Sequence, residues 1–535
     1  MCGPPLSSAR GLKACLRTAL TCLCLLVLVG CAAVPSDRLG LPSYALSDPD
    51  TTTLGRTFSG VIAKHPGQSG FLVHDRGPDA LSARLVLARA SERTLDLQYY
   101  IVDRGIITTD LLLESIANAA QRGVRVRILL DDVHGPNRAF AAEAMATHPG
   151  IDVRLFNPFL VGGARGVGRL MEFLASGERL NRRMHNKLWI ADNTAGLIGG
   201  RNLADEYFDA APGVNFADLD LLAVGPVVRE LSKGFDEYWN SGSAVPFAAF
   251  NSAAPSPEYS DQVRSELAVR LAAAETSDYR QRLTAGEALH PAMDSNLPLT
   301  WGNAYAAYDD PDKPETAITT GMQHFMPQIR TVPTRTKSEL LIMSPYFIPS
   351  HEGREHLGDM VSRGLRVAVV TNSLASTDAL AAHAGYARHR AELLRRGIEL
   401  FELRPEPGVQ HSIQHRWRSP SAAALHAKLV IVDRARVLLG SMNLDPRSRL
   451  HNTESWIEIE SPELASKLAA LFDESSRLEH SFRLILREQQ SVEQSIEWIT
   501  EEQGQQTRYE YEPKAQPWVI FWRSLLSIIV PEHML

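Results

Sequence analysis

The chain has 535 residues, 44% hydrophobic and 22% charged, with a formal net charge of −7. That balance excludes collagen-like, wholly disordered and multi-span membrane classes, and an acidic chain offers no broad surface for polyanions. At about 100–200 residues per domain, the length allows about three or four domains, or two large ones, each able to bury a core. Arg10, Lys13 and Arg17 precede an uncharged run over 18–30, which is 13 residues long, too short to span a bilayer, and reads as a signal peptide over 1–30. Without that leader the net charge becomes −10, so any hold on phosphate has to come from a local basic pocket. All five cysteines (Cys2, Cys15, Cys22, Cys24 and Cys31) lie within the first 31 positions. A disulfide framework, cysteine-ligated zinc and a cysteine nucleophile are therefore excluded from the body of the protein.

Leu28-Val29-Gly30-Cys31 resembles the bacterial lipoprotein box. The resemblance implies lipidation of Cys31 and a place in the cell envelope facing the periplasm, with Ala32 pointing to the outer membrane over the inner. An uncleaved anchor or a nearby secretory cut is the alternative. Residues 31–70 then read as a tether. Within 71–243, Thr94 to Val102 alternates like a strand, Thr109 to Gln121 has helical spacing, and Gly123 to Asp131 is again a strand. Residues 315–490 repeat the unit: a strand from Glu339 to Phe347, a helix near Arg354 to Ser362, and a strand from Gly364 to Asn372. Gly123 and Gly364 stand 241 apart, as do Asp131 and Asn372. A constant offset over a strand–helix–strand unit argues for duplication and predicts an α/β fold of two layered, pseudo-twofold-related halves, each with a mixed, mostly parallel sheet flanked by helices. Between them, 244–314 is rich in Ala, Ser, Pro and Asp and reads as a linker or insertion with one helix from Ser260 to Ala274. Gln410 to Pro420 reads as a mobile basic loop. In the tail, 491–535, Trp518, Phe521, Trp522, Leu525, Leu526 and Ile529 follow helical spacing up to Pro531, as an amphipathic helix facing either lipid or its own domain.

The 241 offset recurs where residues carry chemistry. His185, Lys187, Asp192, Gly199, Gly200 and Asn202 in one half match His426, Lys428, Asp433, Gly440, Ser441 and Asn443 in the other. Side chains two apart on a strand share a face, so each His points with its Lys. Asp192 and Asp433 fall where turns want them and read as structural. A turn centred midway predicts His185 opposite Asn202 and Lys187 opposite Gly200, with His426 opposite Asn443 and Lys428 opposite Ser441. Each hairpin then gathers an imidazole, an ammonium and an amide that together suit a phosphate oxygen. Aligning TESWIEIESP with ADLDLLAVGP places Glu454 on Asp218 at an offset of 236. Tyr99, Tyr100 and Tyr346 read as core packing, with the lining of a cleft as the alternative.

The duplicated pattern closely resembles the phospholipase D superfamily, with its HxKxxxxD…G[GS]xN motif present twice. The resemblance implies a phosphohistidine formed by one of His185 and His426, a proton delivered by the other, charge stabilisation by Lys187, Lys428, Asn202 and Asn443, and Asp218 and Glu454 orienting the histidines. It implies no cofactor and no metal. Gly200 stands where that motif more often has serine, so one hydroxyl is missing from the first half. The strings RLNRRMHNK, GGRNLADEYF, HAGYARHR and SMNLDPRSRLHNTE further resemble the C-type bacterial cardiolipin synthases. They imply phosphatidyl transfer between phospholipids, with phospholipid substrates and the membrane as partners and no nucleic acid; oligomeric state stays open. The rival readings are a hydrolase, phosphodiesterase or nuclease using the same histidines, and an inactive lipid-binding scaffold.

Overall fold

The computed structural model describes residues 40–103, 108–132, 145–146, 148–159, 172, 177, 179–249, 257–275, 279–280, 283, 296–313, 326–405, 422–487 and 496–531. The leader with Cys31, and the loop Gln410 to Pro420, lie outside the described residues. The first half contributes β1 (Ser69–His74), β2 (Thr94–Tyr99), β3 (Arg125–Asp131), β4 (Ile151–Phe156), β5 (Leu188–Ala191), β6 (Ala195–Gly199), β7 (Val214–Ala217), β8 (Asp220–Val224) and β9 (Ala244–Pro246). The second contributes β10 (Thr300–Tyr308), β11 (Glu339–Met343), β12 (Arg366–Asn372), β13 (Glu399–Leu403), β14 (Ala422–Leu425), β15 (Leu429–Val432), β16 (Arg436–Gly440), β17 (Ser455–Glu460), β18 (Ser481–Leu486), β19 (Ile496–Glu502) and β20 (Gln505–Tyr509).

Strand pairing reveals the duplication. The first half runs β9-β4-β3-β2-β5-β6-β8-β1. The second runs β10-β17-β16-β15-β11-β12-β13-β18 and continues into β19 and β20. Antiparallel pairing of β1 with β10 (Phe71 opposite Thr300) joins the two into one sheet. Within this sheet only β2–β3, β3–β4 and their counterparts β11–β12 and β12–β13 are parallel. This corrects the expected mostly parallel sheets. Helices cross between β2 and β3 and between β11, β12 and β13, whereas each histidine segment folds back through a tight turn, which makes its neighbours antiparallel.

The crossover helices Thr108–Gln121 and His351–Ser362 each end just before a glycine, Gly123 at φ 91° and Gly364 at φ 85°. Only glycine enters that left-handed conformation without cost, which lets the chain reverse into β3 and β12. Helices Pro226–Trp239 and Pro462–Ser475 start on proline and bury Val227, Val228, Leu231, Leu464, Leu468 and Phe472 in a core shared by both halves. Separate cores cover the far faces of the two half-sheets.

The segment 244–314 is more than a linker. It carries β9, the helix Pro257–Glu275 and β10, the strand through which the halves join. The tether 31–70 likewise includes a helix, Thr53–Ala63, and the tail 491–535 adds β19 and β20 to the sheet before its helix Pro517–Ile529. Short alternating stretches such as TWGNAYAAY are hidden from composition when flanked by Pro- and Ser-rich sequence.

Candidate active site

Each histidine sits just before a hairpin, and each hairpin turns through two residues in the left-handed region: Asp192 and Asn193, then Asp433 and Arg434. The turns close by Thr194 N–H donating to Ala191 O and Ala435 N–H donating to Val432 O, both at 3.0 Å. Thr194 and Ala435 are extra residues, so Ala191 pairs with Ala195 and Leu429 with Leu439. Pairing is thus one residue off the expected register. Lys428 lies across from Gly440, whose N–H reaches its carbonyl at 3.4 Å. Asp192 accepts the N–H groups of Glu92, Arg93 and Thr94, and Asp433 those of Lys337, Ser338 and Glu339. Both fasten the hairpin to the strand beside it.

The histidines are fixed from the opposite half. Met184 forms a parallel bridge with Thr453, and β14 pairs in parallel with β7, Leu425 opposite Ala217. His185 N–H then donates to Thr453 O and His426 N–H to Ala217 O, each at 2.8 Å. The next residues along the partner segments are the two carboxylates, and the pairing is crossed. His185 Nδ1 lies 2.9 Å from Glu454 Oε2, while His426 Nδ1 lies 2.6 Å from Asp218 Oδ2. With Nδ1–H donated to an acid, the basic nitrogen that remains on each ring is Nε2. Tyr100 meets His185 edge-on at 5.0 Å, and Tyr207 meets His426 edge-on at 5.1 Å with Phe216 beside it at 5.0 Å. Tyr100 therefore belongs to the site and not to the core, while Tyr99 is buried against Arg84 and Tyr346 donates to Asp378.

Both lysines are buried beside their histidines. Lys187 Nζ donates to His185 O at 2.7 Å, and Lys428 Nζ lies 2.9 and 3.1 Å from the two ring nitrogens of His426. Burial lowers the pKa of Lys187 well below the usual range and that of Lys428 to about 8, and the Lys428 ammonium adds to the lowering of Lys187. The same charge also lowers His185, which places both motif sets in one electrostatic site. Burial holds His185 down at about 4 against the pull of Glu454, and His426 is lowered by burial and by Lys428. Burial would raise the carboxylates, but the facing imidazoles and lysines outweigh it and hold Asp218 and Glu454 at about 2. The resting site therefore has neutral imidazoles on ionised acids.

The glycine–serine difference is geometric. A Cβ on Gly200 would lie 2.2 Å from Asp218 Oδ1. The shorter Asp fills the space that a serine would need, whereas Ser441 Oγ donates to the longer Glu454. Gly199 and Gly440 are equally confined, by the backbone at Leu219 and Ser455. Asn202 is committed at both ends, accepting from Ile101 N and donating to Tyr207 OH at 2.8 Å. Asn443 Oδ1 is buried with no hydrogen-bond partner among the described residues.

Several positioning residues escaped the sequence reading. Asp131, at the end of β3, accepts Met184 N–H at 2.8 Å and grips Arg183, while Asn372, at the end of β12, brackets Leu425 through its N–H and C=O. These two, already paired by the 241 offset, hold the residue in front of each histidine. Asp309 accepts Glu454 N–H at 3.1 Å and is itself held by Lys313. It lies at the end of β10, in the stretch read as linker.

The family model described as "Cardiolipin synthase, PLD-like domain" matches residues 86–239 and 332–475, so both matched segments end at the last residue of the equivalent helices Pro226–Trp239 and Pro462–Ser475. The chain is 36% identical over 477 residues to "Cardiolipin synthase C" of Escherichia coli (strain K12), covering 89% of this chain and 98% of that one. It is 31% identical over 460 residues to an uncharacterized protein of Helicobacter pylori (strain J99 / ATCC 700824), covering 85% and 88%. Its fold is similar to the crystal structure of phosphatidylserine synthase from Haemophilus influenzae Rd KW20, with a TM-score of 0.51 and 12% identity over 80% of this chain and 92% of that one.

Proposed function

The chain belongs to the cardiolipin synthase family of phospholipase D-like proteins, and on that premise we propose that it is a phosphatidyltransferase that moves a phosphatidyl group from one phospholipid to the headgroup hydroxyl of phosphatidylglycerol, making cardiolipin. The observation that carries this reading is the pair of buried histidines, each bonded through Nδ1 to a carboxylate of the other half.

Nε2 of one histidine attacks phosphorus, and the P–O bond to the departing headgroup breaks as the N–P bond forms. The other histidine supplies the proton to that alcohol. It acquires that proton because the phosphate anion, arriving beside it, favours the imidazolium over the neutral ring. The acceptor hydroxyl then returns its proton to the same histidine while its oxygen displaces Nε2 from phosphorus. Lys187, Lys428 and the Asn443 amide stabilise charge on the nonbridging oxygens. No step draws on a cofactor or metal, and the acidic chain gives no support to a nucleic-acid substrate.

We further place the protein on the membrane of the cell envelope, held by a lipidated Cys31 and facing the periplasm, the outer membrane being favoured by Ala32. Trp518, Phe521 and Trp522 support this: they are exposed on one side of the helix Pro517–Ile529, where aromatic rings suit a lipid interface. The helix is also docked to its own domain, since Arg388 Nη2 donates to Ser527 O and Val530 O.

Thin-layer separation of products from labelled phosphatidylglycerol, with and without a second phospholipid, tests the reaction. Labelled cardiolipin is expected. Phosphatidic acid as the sole product would make water the acceptor and the protein a hydrolase. Incorporation of labelled palmitate that disappears in Cys31→Ser tests the anchor.

A further inference from the structure

The two halves share a scaffold, yet the same region is filled in one and hollow in the other. On the outer face of the first half-sheet, Trp189 of β5 is fully buried. Beside it, Asp220 of β8 accepts from Arg84 at 2.9 Å and lies 3.6 Å from Arg201. The 241 and 236 offsets place Val430, Met442 and Trp456 at the positions of Trp189, Arg201 and Asp220 in the second half. There the large indole has become a valine and the ion cluster has gone. The helix over this face also differs: Met326–Arg335 carries Pro333 inside it and stands where the first half has the uninterrupted Gly77–Ala90. The second half has here a half-open pocket of about 170 Å³, with Leu340, Val430, Leu438, Met442 and Trp456 in its wall, Val332 and Pro333 over it, and Glu352, His356, Asp445 and Arg449 also among its lining residues.

An empty apolar space loses the contacts its lining would otherwise make, so a fold that keeps one gains by filling it. An apolar space of about 150 Å³ is large enough to accept a hydrocarbon guest. This one adjoins the chemistry: Met442 and Leu444, both in its wall, flank Asn443, and Met442 directly follows Ser441, whose hydroxyl binds Glu454. We infer that the second half holds one fatty-acyl chain of a phospholipid in this cavity while the phosphate lies between the histidines. This assignment rests on the phosphatidyltransferase reading for its choice of ligand, and it makes the two halves unequal, one purely scaffold on its outer face and the other a tail site.

The test restores the first half's residue. Val430→Trp should lower kcat/KM for dioleoyl-phosphatidylglycerol about tenfold or more while leaving a dihexanoyl substrate within about twofold of wild type. Leu438→Phe, a milder filling, should give the same bias if Val430→Trp fails to fold. Independently, phosphatidylglycerol brominated along the acyl chain should quench the fluorescence of Trp456, read as the difference between the wild-type protein and Trp456→Phe, and Val430→Trp should remove that difference. Equal losses on long and short chains, no loss on either, or no Trp456-dependent quenching would overturn the assignment. Wild-type protein inactive on both lipids would instead sink the functional reading, and quenching would still report on the cavity.

Discussion

The first half offers Gly200 and Asp218 where the second offers Ser441 and Glu454, and the exchange is compensated. A carboxylate one methylene shorter sits against a residue with no side chain, and a longer one is met by a hydroxyl. Both solutions deliver an ionised acid to Nδ1 of a histidine on the other side of the site. The asparagines diverge as well, Asn202 being tied to Tyr207 and the Ile101 backbone while Asn443 Oδ1 has no hydrogen-bond partner among the described residues. Duplication has preserved the acid–base pairs and let the supporting contacts drift, so the halves should answer unequally to matched substitutions everywhere except at the histidines and the acids behind them.

The largest effect is expected at those equal positions. His185→Asn and His426→Asn should each lower turnover of phosphatidylglycerol by about 10⁴-fold or more, and the double variant should be little worse, because members of one catalytic unit are not additive. Activity within tenfold of wild type in either single variant, with an unchanged circular dichroism spectrum, would break the symmetry at its centre.

Next come the acids. Glu454→Gln and Asp218→Asn should each slow turnover about 10²–10³-fold, since they leave the imidazoles in place but unsupported. The same groups set the acid response. Asp218 and Glu454 titrate near 2 in the folded protein, below their unfolded values, so the stability they contribute is present above about pH 4 and lost as pH falls toward 2. His185 is also lowered, to about 4, so between its unfolded value near 6.5 and that point the unfolded chain binds the extra proton and acid again favours unfolding. Melting temperature should therefore fall from pH 7 to pH 3, and less steeply in Glu454→Gln. A slope identical to wild type would refute the ionised acid.

A smaller effect is expected from Gly200→Ser, whose Cβ must push Asp218 off His426. About tenfold lower turnover is expected, and adding Asp218→Glu, which copies the second half's pair, should recover part of it. If the double variant is as poor as the product of its single losses, the two pairs are not interchangeable solutions. Smallest is the difference between the amides. Asn443→Ala should lower kcat about tenfold with KM little changed, whereas Asn202→Ala should act through Tyr207 and lower thermal stability by about 1 kcal/mol. Melting curves beside steady-state kinetics separate the two.

Much of this was legible in the sequence because a repeat is its own control. One histidine on an apolar strand says little, but HxK with its glycine and asparagine at a fixed offset marks both the duplication and the site. Asp218 and Glu454 followed from aligning the halves. What alignment could not show is which histidine each acid faces, since that depends on β7 lying beside β14 and on Met184 lying beside Thr453, contacts between segments over 200 residues apart. Hairpin register slipped for a local reason, an extra residue after two left-handed ones. The parallel character of the sheet was overstated because strand–helix–strand units are easier to see than hairpins built from four or five residues. β10 was missed because Pro- and Asp-rich flanks masked nine residues that join the halves, and with it went Asp309.

The crossed pairing of base and acid bears on how such a chain can be assembled. A half standing alone would have a histidine with no acid behind it and an acid with no base before it. A one-copy ancestor of this design would become competent only by meeting a second molecule of itself, and its output would climb with the square of its abundance when dilute. Fusing the copies removes that dependence, because the complementary half is always present at the high local concentration a covalent connection imposes. Co-expressing the halves as separate polypeptides would restore it.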